Sequence, residues 1–160
     1  MKRFAFLLML LASIVSMTFA QTKDYIVRWN PLLEQYEYYD SYGRYLGTSK
    51  YNDLLKETQH YNSYGQQEGT TRYNELLDQY EDYDQYGHKL STTRWNDLLN
   101  EYQQFDSCGR LQGTANWNDL LREYQLYNPY GRQIGIMRYN DLLKEYQLQL
   151  NESTHSEDDN

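Results

Sequence analysis

Apolar and polar positions recur along this chain with a period of 22, in units that begin at Trp29, Tyr51, Tyr73, Trp95, Trp117 and Tyr139. Each unit opens with Trp or Tyr, then Asn, an acid or Pro, and a Leu pair. Further aromatic residues follow, leading into Asp/Asn-x-Tyr-Gly-Arg. No insertion or deletion separates the copies, so each is one supersecondary element packed on its neighbours. Two periodicities compete inside a unit. Positions 1, 4, 5, 8 and 11, such as Trp117, Leu120, Leu121, Tyr124 and Tyr127, share one face of a helix, which Asn118 would cap. The second half instead reads as strand: Tyr36 to Asp40 is Tyr-Glu-Tyr-Tyr-Asp, and aromatic residues favour pleated surfaces.

The turn chemistry favours strands. Asp/Asn-x-x-Gly recurs at 40–43, 62–65, 84–87, 106–109 and 128–131, the pattern of a type I turn followed by Gly in the left-handed region. Asn30-Pro31-Leu32-Leu33 reads as a second turn, with Asn at its first corner and Pro at its second. The expected unit is a hairpin with strands from Gln35 to Asp40 and from Arg44 to Tyr51. The Asn-x-Leu-Leu segment joins it to the next unit, and the Leu pair tucks under an aromatic layer. The predicted fold is all-β, an elongated array of six 22-residue β-hairpin repeats over residues 21–150. An α/β solenoid with a short helix and a strand per repeat is the alternative. Array ends are open edges, so Gln21 to Val27 is expected to cover the first and the irregular sixth unit to cap the last.

The flanking segments carry other signals. Met1-Lys2-Arg3, an apolar run from Phe4 to Phe19 and Thr18-Phe19-Ala20 predict a signal peptide over residues 1–20. The run is shorter than the ~20 residues that span a bilayer. No later segment is apolar enough to cross one as a helix, so no transmembrane segment is expected after cleavage. The protein is expected to be secreted, periplasmic or at the cell surface. Residues 151–160 are polar and acidic, a tail expected to be disordered. Asn151-Glu152-Ser153 is a glycosylation sequon in a eukaryotic secretory route.

Composition narrows the function. Without residues 1–20 the chain keeps 13 basic and 23 acidic residues, a formal charge of −10. That excludes the electrostatic footprint of a nucleic-acid binder. All 19 Tyr lie in this part, while Val and Ile are scarce. The core must therefore be built from Tyr, Trp and the Leu pairs, with phenol hydroxyls needing partners or water. Cys108 is the single cysteine. It stands where other units have Tyr42, Tyr64, Tyr86 and Tyr130, and it has no internal partner for a disulfide. It is either a tolerated replacement or the site of a bond between two chains.

Tyr-Asp-Ser-Tyr-Gly-Arg at 39–44, Tyr-Asp-Gln-Tyr-Gly-His at 83–88 and Phe-Asp-Ser-Cys-Gly-Arg-Leu at 105–111 resemble the signature of YD-type, Rhs-like tyrosine-rich hairpin repeats. Aromatic hairpins ending in Gly are also similar in style to choline-binding cell-wall repeats. The Leu pair belongs to neither pattern, and six units are far fewer than a YD shell contains. The resemblance implies an extracellular β-hairpin array, and no functional residue is carried over from it.

Catalytic chemistry is sparse. His60, His88 and His155 occupy unrelated positions, and no His-x-x-x-His pair, cysteine cluster, nucleophile elbow or phosphate loop is present. Neither an enzyme nor a cofactor is expected. Asp40, Asp84, Asp106, Asn62 and Asn128 could in principle line up oxygens for Ca²⁺. One carboxylate per turn falls short of the six to eight oxygens that ion takes, so these side chains are read as bonding their own turn amides, and no metal is expected. The remaining chemistry is aromatic. The Trp/Tyr column of position 1 with the Leu pairs is expected to be core, alongside a second column (Tyr36, Tyr80, Tyr102, Tyr124 and Tyr146) interrupted by Thr58. The turn tyrosines Tyr42, Tyr64, Tyr86 and Tyr130 are expected at the surface. With Arg44, Arg110 and Arg132 supplying hydrogen bonds or cation–π contacts, they are the candidate ligand-binding residues. The expected role is non-enzymatic binding at or outside the cell surface, with a glycan or cell-wall polymer as partner. A scaffold that binds a protein partner and no small ligand is the alternative.

Overall fold

A computed structural model describes residues 24–151, and all of its regular structure is strand. The expected signal peptide, and the acidic tail beyond Asn151, lie outside the described residues. Unit 1 is prefaced by β1 (Asp24–Asn30) and contributes β2 (Gln35–Asp40) and β3 (Tyr45–Asn52). Then follow β4 (Glu57–Asn62), β5 (Gln67–Asn74), β6 (Gln79–Asp84) and β7 (Lys89–Asn96). The last five are β8 (Glu101–Asp106), β9 (Leu111–Asn118), β10 (Glu123–Tyr127), β11 (Gln133–Asn140) and β12 (Glu145–Leu150). The expected strand pair of unit 1 matches β2 and β3 closely. No helix forms in the Asn-x-Leu-Leu segments, so the helix-plus-strand alternative falls.

Both turn types form as their side chains dictate. Asp40 Oδ1 accepts the amides of Tyr42 (3.0 Å) and Arg44 (2.8 Å), while Gly43 takes φ 78° and donates to the Asp40 carbonyl at 2.9 Å. Only a residue without Cβ adopts that φ freely. In the other turn Asn30 Oδ1 accepts the amides of Leu32 and Leu33, both at 3.1 Å. Its left-handed position is held by Glu34, Lys56, Asp78, Asn100, Arg122 and Lys144 in successive units, with φ between 47° and 54°. Those six residues carry backbone strain that glycine would not.

The elongated array is corrected by the sheet's closure. Every strand pairs antiparallel with its sequence neighbours, and β1 also pairs with β12, which makes a closed twelve-stranded barrel. The first described strand supplies the second half of a unit and the last the first half of another. Those halves are complementary, so Tyr25↔Leu148 and Val27↔Tyr146 pair across the seam. The Arg28–Glu145 ion pair at 2.7 Å there repeats the Arg72–Glu57 pair inside the array, at 2.8 Å. Residues 24–27 therefore complete the sheet instead of covering an open edge, and β12 is a full strand instead of a cap. Closure removes both edges at once.

Twelve strands enclose more space than small side chains fill, which gives the Tyr-rich composition its structural reason. The central inward layer uses every eleventh residue. Val27 and Tyr38 begin it, Ala115, Leu126, Met137 and Leu148 end it, and these pack as one cluster with Tyr25. Between them the layer turns polar. The outward face carries Arg–Glu pairs such as Arg138–Glu123 and guanidinium groups over rings, with Arg28 5.3 Å from the Tyr39 centroid and Arg94 4.6 Å from that of Phe105. A lipid-facing barrel carries an apolar band at those positions. Among the described residues no helix is long and apolar enough to cross a membrane.

Candidate functional site

Hairpin geometry sorts the two turns to opposite ends of the barrel. At one end stand the six Asn-x-Leu-Leu turns, and just inside them the aromatic positions 1 and 8 pair across each hairpin. The ring centroids are 4.8 Å apart for Trp29–Tyr36 and Tyr73–Tyr80, and 4.7 Å for Trp95–Tyr102 and Tyr139–Tyr146. Trp117–Tyr124 is similar at 5.0 Å. All are edge-to-face or tilted, the arrangement the ring quadrupole favours. Burial, then the charge of neighbouring tyrosines, pushes the Tyr124 phenol up to about 12.

This mouth is not the core that the sequence pattern suggests. Trp29 is 47 % exposed and Tyr51 51 %, and the first Leu of every pair, from Leu32 to Leu142, is at least 89 % exposed. The Leu pairs do not tuck beneath the aromatic layer. Each is carried outward because the Asx bonds of its Asn close the turn directly above the rings.

The aromatic collar is broken once. Thr58 stands opposite Tyr51 where the other five units place Tyr opposite Trp or Tyr. The missing ring opens a cavity of about 760 Å³ in the mouth, walled by Trp29, Tyr36, Tyr51, Tyr73, Tyr80, Tyr139 and Tyr146 and floored by Thr58 and Thr71. That size is ordinary for small-molecule sites. Lys56 and Lys144 complete the lining, and no carboxylate does among the described residues.

Beneath the floor lies a buried polar chain that runs round the barrel through β3 to β7. Ser49 Oγ meets His60 Nδ1 at 2.6 Å, and His60 Nε2 meets Thr71 Oγ1 at 2.7 Å. Thr71 donates to Asp82 Oδ1 and Ser91 donates to Asp82 Oδ2, both at 2.6 Å. The carboxylate sets the direction of every bond. The Thr71 proton goes to Asp82, so Thr71 accepts from His60 Nε2–H, and Nδ1 accepts the Ser49 hydroxyl. Burial lowers the His60 pKa from 6.5 to about 4, so the ring is neutral. Burial also raises Asp82, against the pull of the Ser91 and Thr71 hydroxyls. Ser49 and His60 are within hydrogen-bonding reach, but Ser49 is 1 % exposed and lines no cavity. The chain is a satisfied internal network with no nucleophile on offer. It forms no sequence motif because its members are eleven residues apart, or nine from Asp82 to Ser91, and become neighbours only across strands.

The sequence-predicted site residues sit at the far end. Tyr42, Tyr64, Tyr86 and Tyr130 are between 76 % and 92 % exposed, each on a separate turn tip. Arg44 and Arg110 turn back to Asp40 (2.9 Å) and Asp106 (2.8 Å) in their own turns, and His88 does the same to Asp84 at 2.9 Å. Asn128 Oδ1 accepts the Arg132 amide at 3.0 Å. The turn carboxylates and amides are therefore spent on their own loops, as the Asx reading expects. The barrel brings these tyrosines to one rim without making a concave site of them. The Thr58 gap, which does open one, was visible in the sequence as a break in the repeat at position 8, whereas position 6, which supplies the two lysines, varies from unit to unit.

No family model matches this chain, and no curated protein matches it in sequence. In fold it is similar to a protein of Arabidopsis thaliana solved by X-ray crystallography. The TM-score is 0.59 at 14 % identity, with 79 % of each chain covered.

Proposed function

We propose that this chain is a secreted, non-enzymatic binding protein that takes ring-shaped units of a glycan or cell-wall polymer in the aromatic mouth of its barrel. One observation carries the reading: the repeat's symmetry breaks at Thr58, and the break opens a cavity walled by Tyr and Trp. Aromatic faces suit the C–H faces of sugar rings, and the phenol hydroxyls supply polar partners to the ring's hydroxyl groups. The concave mouth is favoured over the four turn tyrosines of the far rim, which are held apart on separate turn tips.

The test is sedimentation of residues 21–160 with insoluble polysaccharides and cell walls, with Trp fluorescence followed in parallel. Saturable pelleting is expected. Thr58→Tyr restores the collar that five other units already accommodate, so it should fill the cavity and abolish pelleting in a protein of unchanged or higher stability. A quadruple Ala variant at Tyr42, Tyr64, Tyr86 and Tyr130 should leave pelleting intact. If that variant loses binding while Thr58→Tyr keeps it, the site belongs on the far rim.

A protein-binding scaffold is the second reading, supported by the crown of six protruding leucines, all at least 89 % exposed. Apolar surface on that scale at one end of a molecule marks an interaction face. A folded protein that pellets with no polysaccharide would favour it.

A further inference from the structure

The mouth cavity differs from the rest of the molecule in charge. The chain is strongly acidic, and the crown around the mouth carries Asp53, Glu75, Asp97, Asp119 and Asp141 at position 3 of their units. Yet the lining of the cavity holds Lys56 and Lys144 and no carboxylate. Unit 1 contributes to this by a second break in the repeat. Trp95 and Trp117 donate their indole N–H to the acid of their own turn, Asp97 at 2.9 Å and Asp119 at 2.7 Å. At Trp29 the corresponding residue is Pro31, which has no side-chain acceptor. The repeat thus departs from its pattern at Pro31 and Thr58 around one opening, where it loses an acceptor and a ring, and the variable position 6 places Lys56 and Lys144 in the same lining. Position 6 varies from unit to unit (Glu34, Lys56, Asp78, Asn100, Arg122 and Lys144), and of these six residues Lys56 and Lys144 line the cavity.

We infer that the mouth binds an acidic sugar: a ring whose C–H face lies on the Trp29 and Tyr walls and whose carboxylate is held between Lys56 and Lys144. This rests on the aromatic mouth being the binding site, and it names the ligand class. A neutral sugar would leave both ammonium groups without a partner from the ligand. Lys56 already lies 3.7 Å from the exposed Asp53, a long surface pair worth little, so a ligand carboxylate can displace it. The acidic crown repels polyanions that approach at random and admits one carboxylate at a time to the lysine pair. That selects a sugar acid over a nucleic acid or a densely sulfated chain.

The experiment uses matched probes. Trp fluorescence titrations compare a galacturonate trimer and a glucuronate trimer with the neutral galactose and glucose trimers of the same linkages. At least one acidic trimer should bind about ten-fold more tightly than its neutral counterpart, the scale expected of two partly exposed charge contacts. The preference should shrink as salt is raised. The double variant Lys56→Asn, Lys144→Asn should remove the preference, bringing each acidic trimer to the affinity of its neutral counterpart for that same variant, with an unchanged urea midpoint showing that the variant is folded. Asn is tolerated there, since Asn100 holds the same repeat position with φ 54°. Equal affinity for acidic and neutral trimers, or a preference that survives the double variant, overturns the inference and leaves the aromatic mouth standing. Failure to bind any of the four trimers, together with failure to pellet with any polysaccharide, overturns both.

Discussion

Neutral His60 at the centre of the barrel makes the stability of this protein depend on pH, with a sign and a size that follow from its surroundings. Its folded pKa is lowered from 6.5 to about 4 by burial. In the unfolded chain the imidazole takes up a proton as pH falls through 6.5, while in the barrel it stays neutral to about 4. Over that window the unfolded state binds more protons, so stability is complete above pH 6.5 and is lost on acidification. At about 1.36 kcal/mol per pH unit, the interval amounts to roughly 3 kcal/mol between pH 6.5 and 4. Asp82, which burial raises, acts in the opposite sense, since its protonation is easier in the folded state. Carboxylates held low, such as Glu81 by the Tyr83 hydroxyl and Asp106 by the Arg110 amide, lose their contribution as pH falls through their folded values. The comparison that isolates His60 is with His60→Gln, whose amide can accept from Ser49 and donate to Thr71. Urea unfolding followed by Trp fluorescence should be measured from pH 7.5 to 4 for both proteins. The difference in unfolding free energy should shrink by about 3 kcal/mol across the window, with contributions common to both chains cancelling. A difference that stays flat to within about 0.5 kcal/mol refutes the buried, neutral histidine.

Three further outcomes follow from particular contacts. A Cβ on Gly69 would lie 2.3 Å from the Tyr83 carbonyl oxygen; because Ser91 occupies the same repeat position, the wall can yield, so Gly69→Ala should cost about 1–3 kcal/mol in urea unfolding. Arg122 holds φ 53°, and Arg122→Gly should raise stability by about 1 kcal/mol by relieving the left-handed backbone, visible as a higher unfolding midpoint. Cys108 is free and exposed; it should react fully with a thiol reagent in the native protein, and Cys108→Tyr should change stability by less than about 0.5 kcal/mol.

Much of the local structure was legible because short-range chemistry decides it. Asp40 and Gly43 specify their turn, Asn30 specifies the other, and the aromatic runs between them specify strands. A period of 22 without interruption also announced that six copies of one hairpin make the fold. The breaks in the repeat, Thr58 for Tyr, Pro31 for an acid and Ser91 for Gly, were equally present in the sequence. What they meant was not, because a position in one unit has no stated neighbour in another until the sheet has a curvature.

Closure supplied that, and it was a tertiary decision. The same hairpins could in principle extend as an open array; whether the first edge meets the last depends on twist and shear accumulated over twelve strands. Pairing of successive strands already sets every eleventh residue side by side, as in Ser49, His60, Thr71 and Asp82; once β1 pairs with β12, that row becomes a closed layer inside the barrel. Closure also turned the position-1 aromatics from an expected core into a mouth, and it lifted the Leu pairs into water on turns above them. The sequence by itself determined the hairpin, its two turns and the places where the pattern fails. The barrel decided which face is inside and which failures border one cavity, because inside and outside exist only when a sheet has no edge.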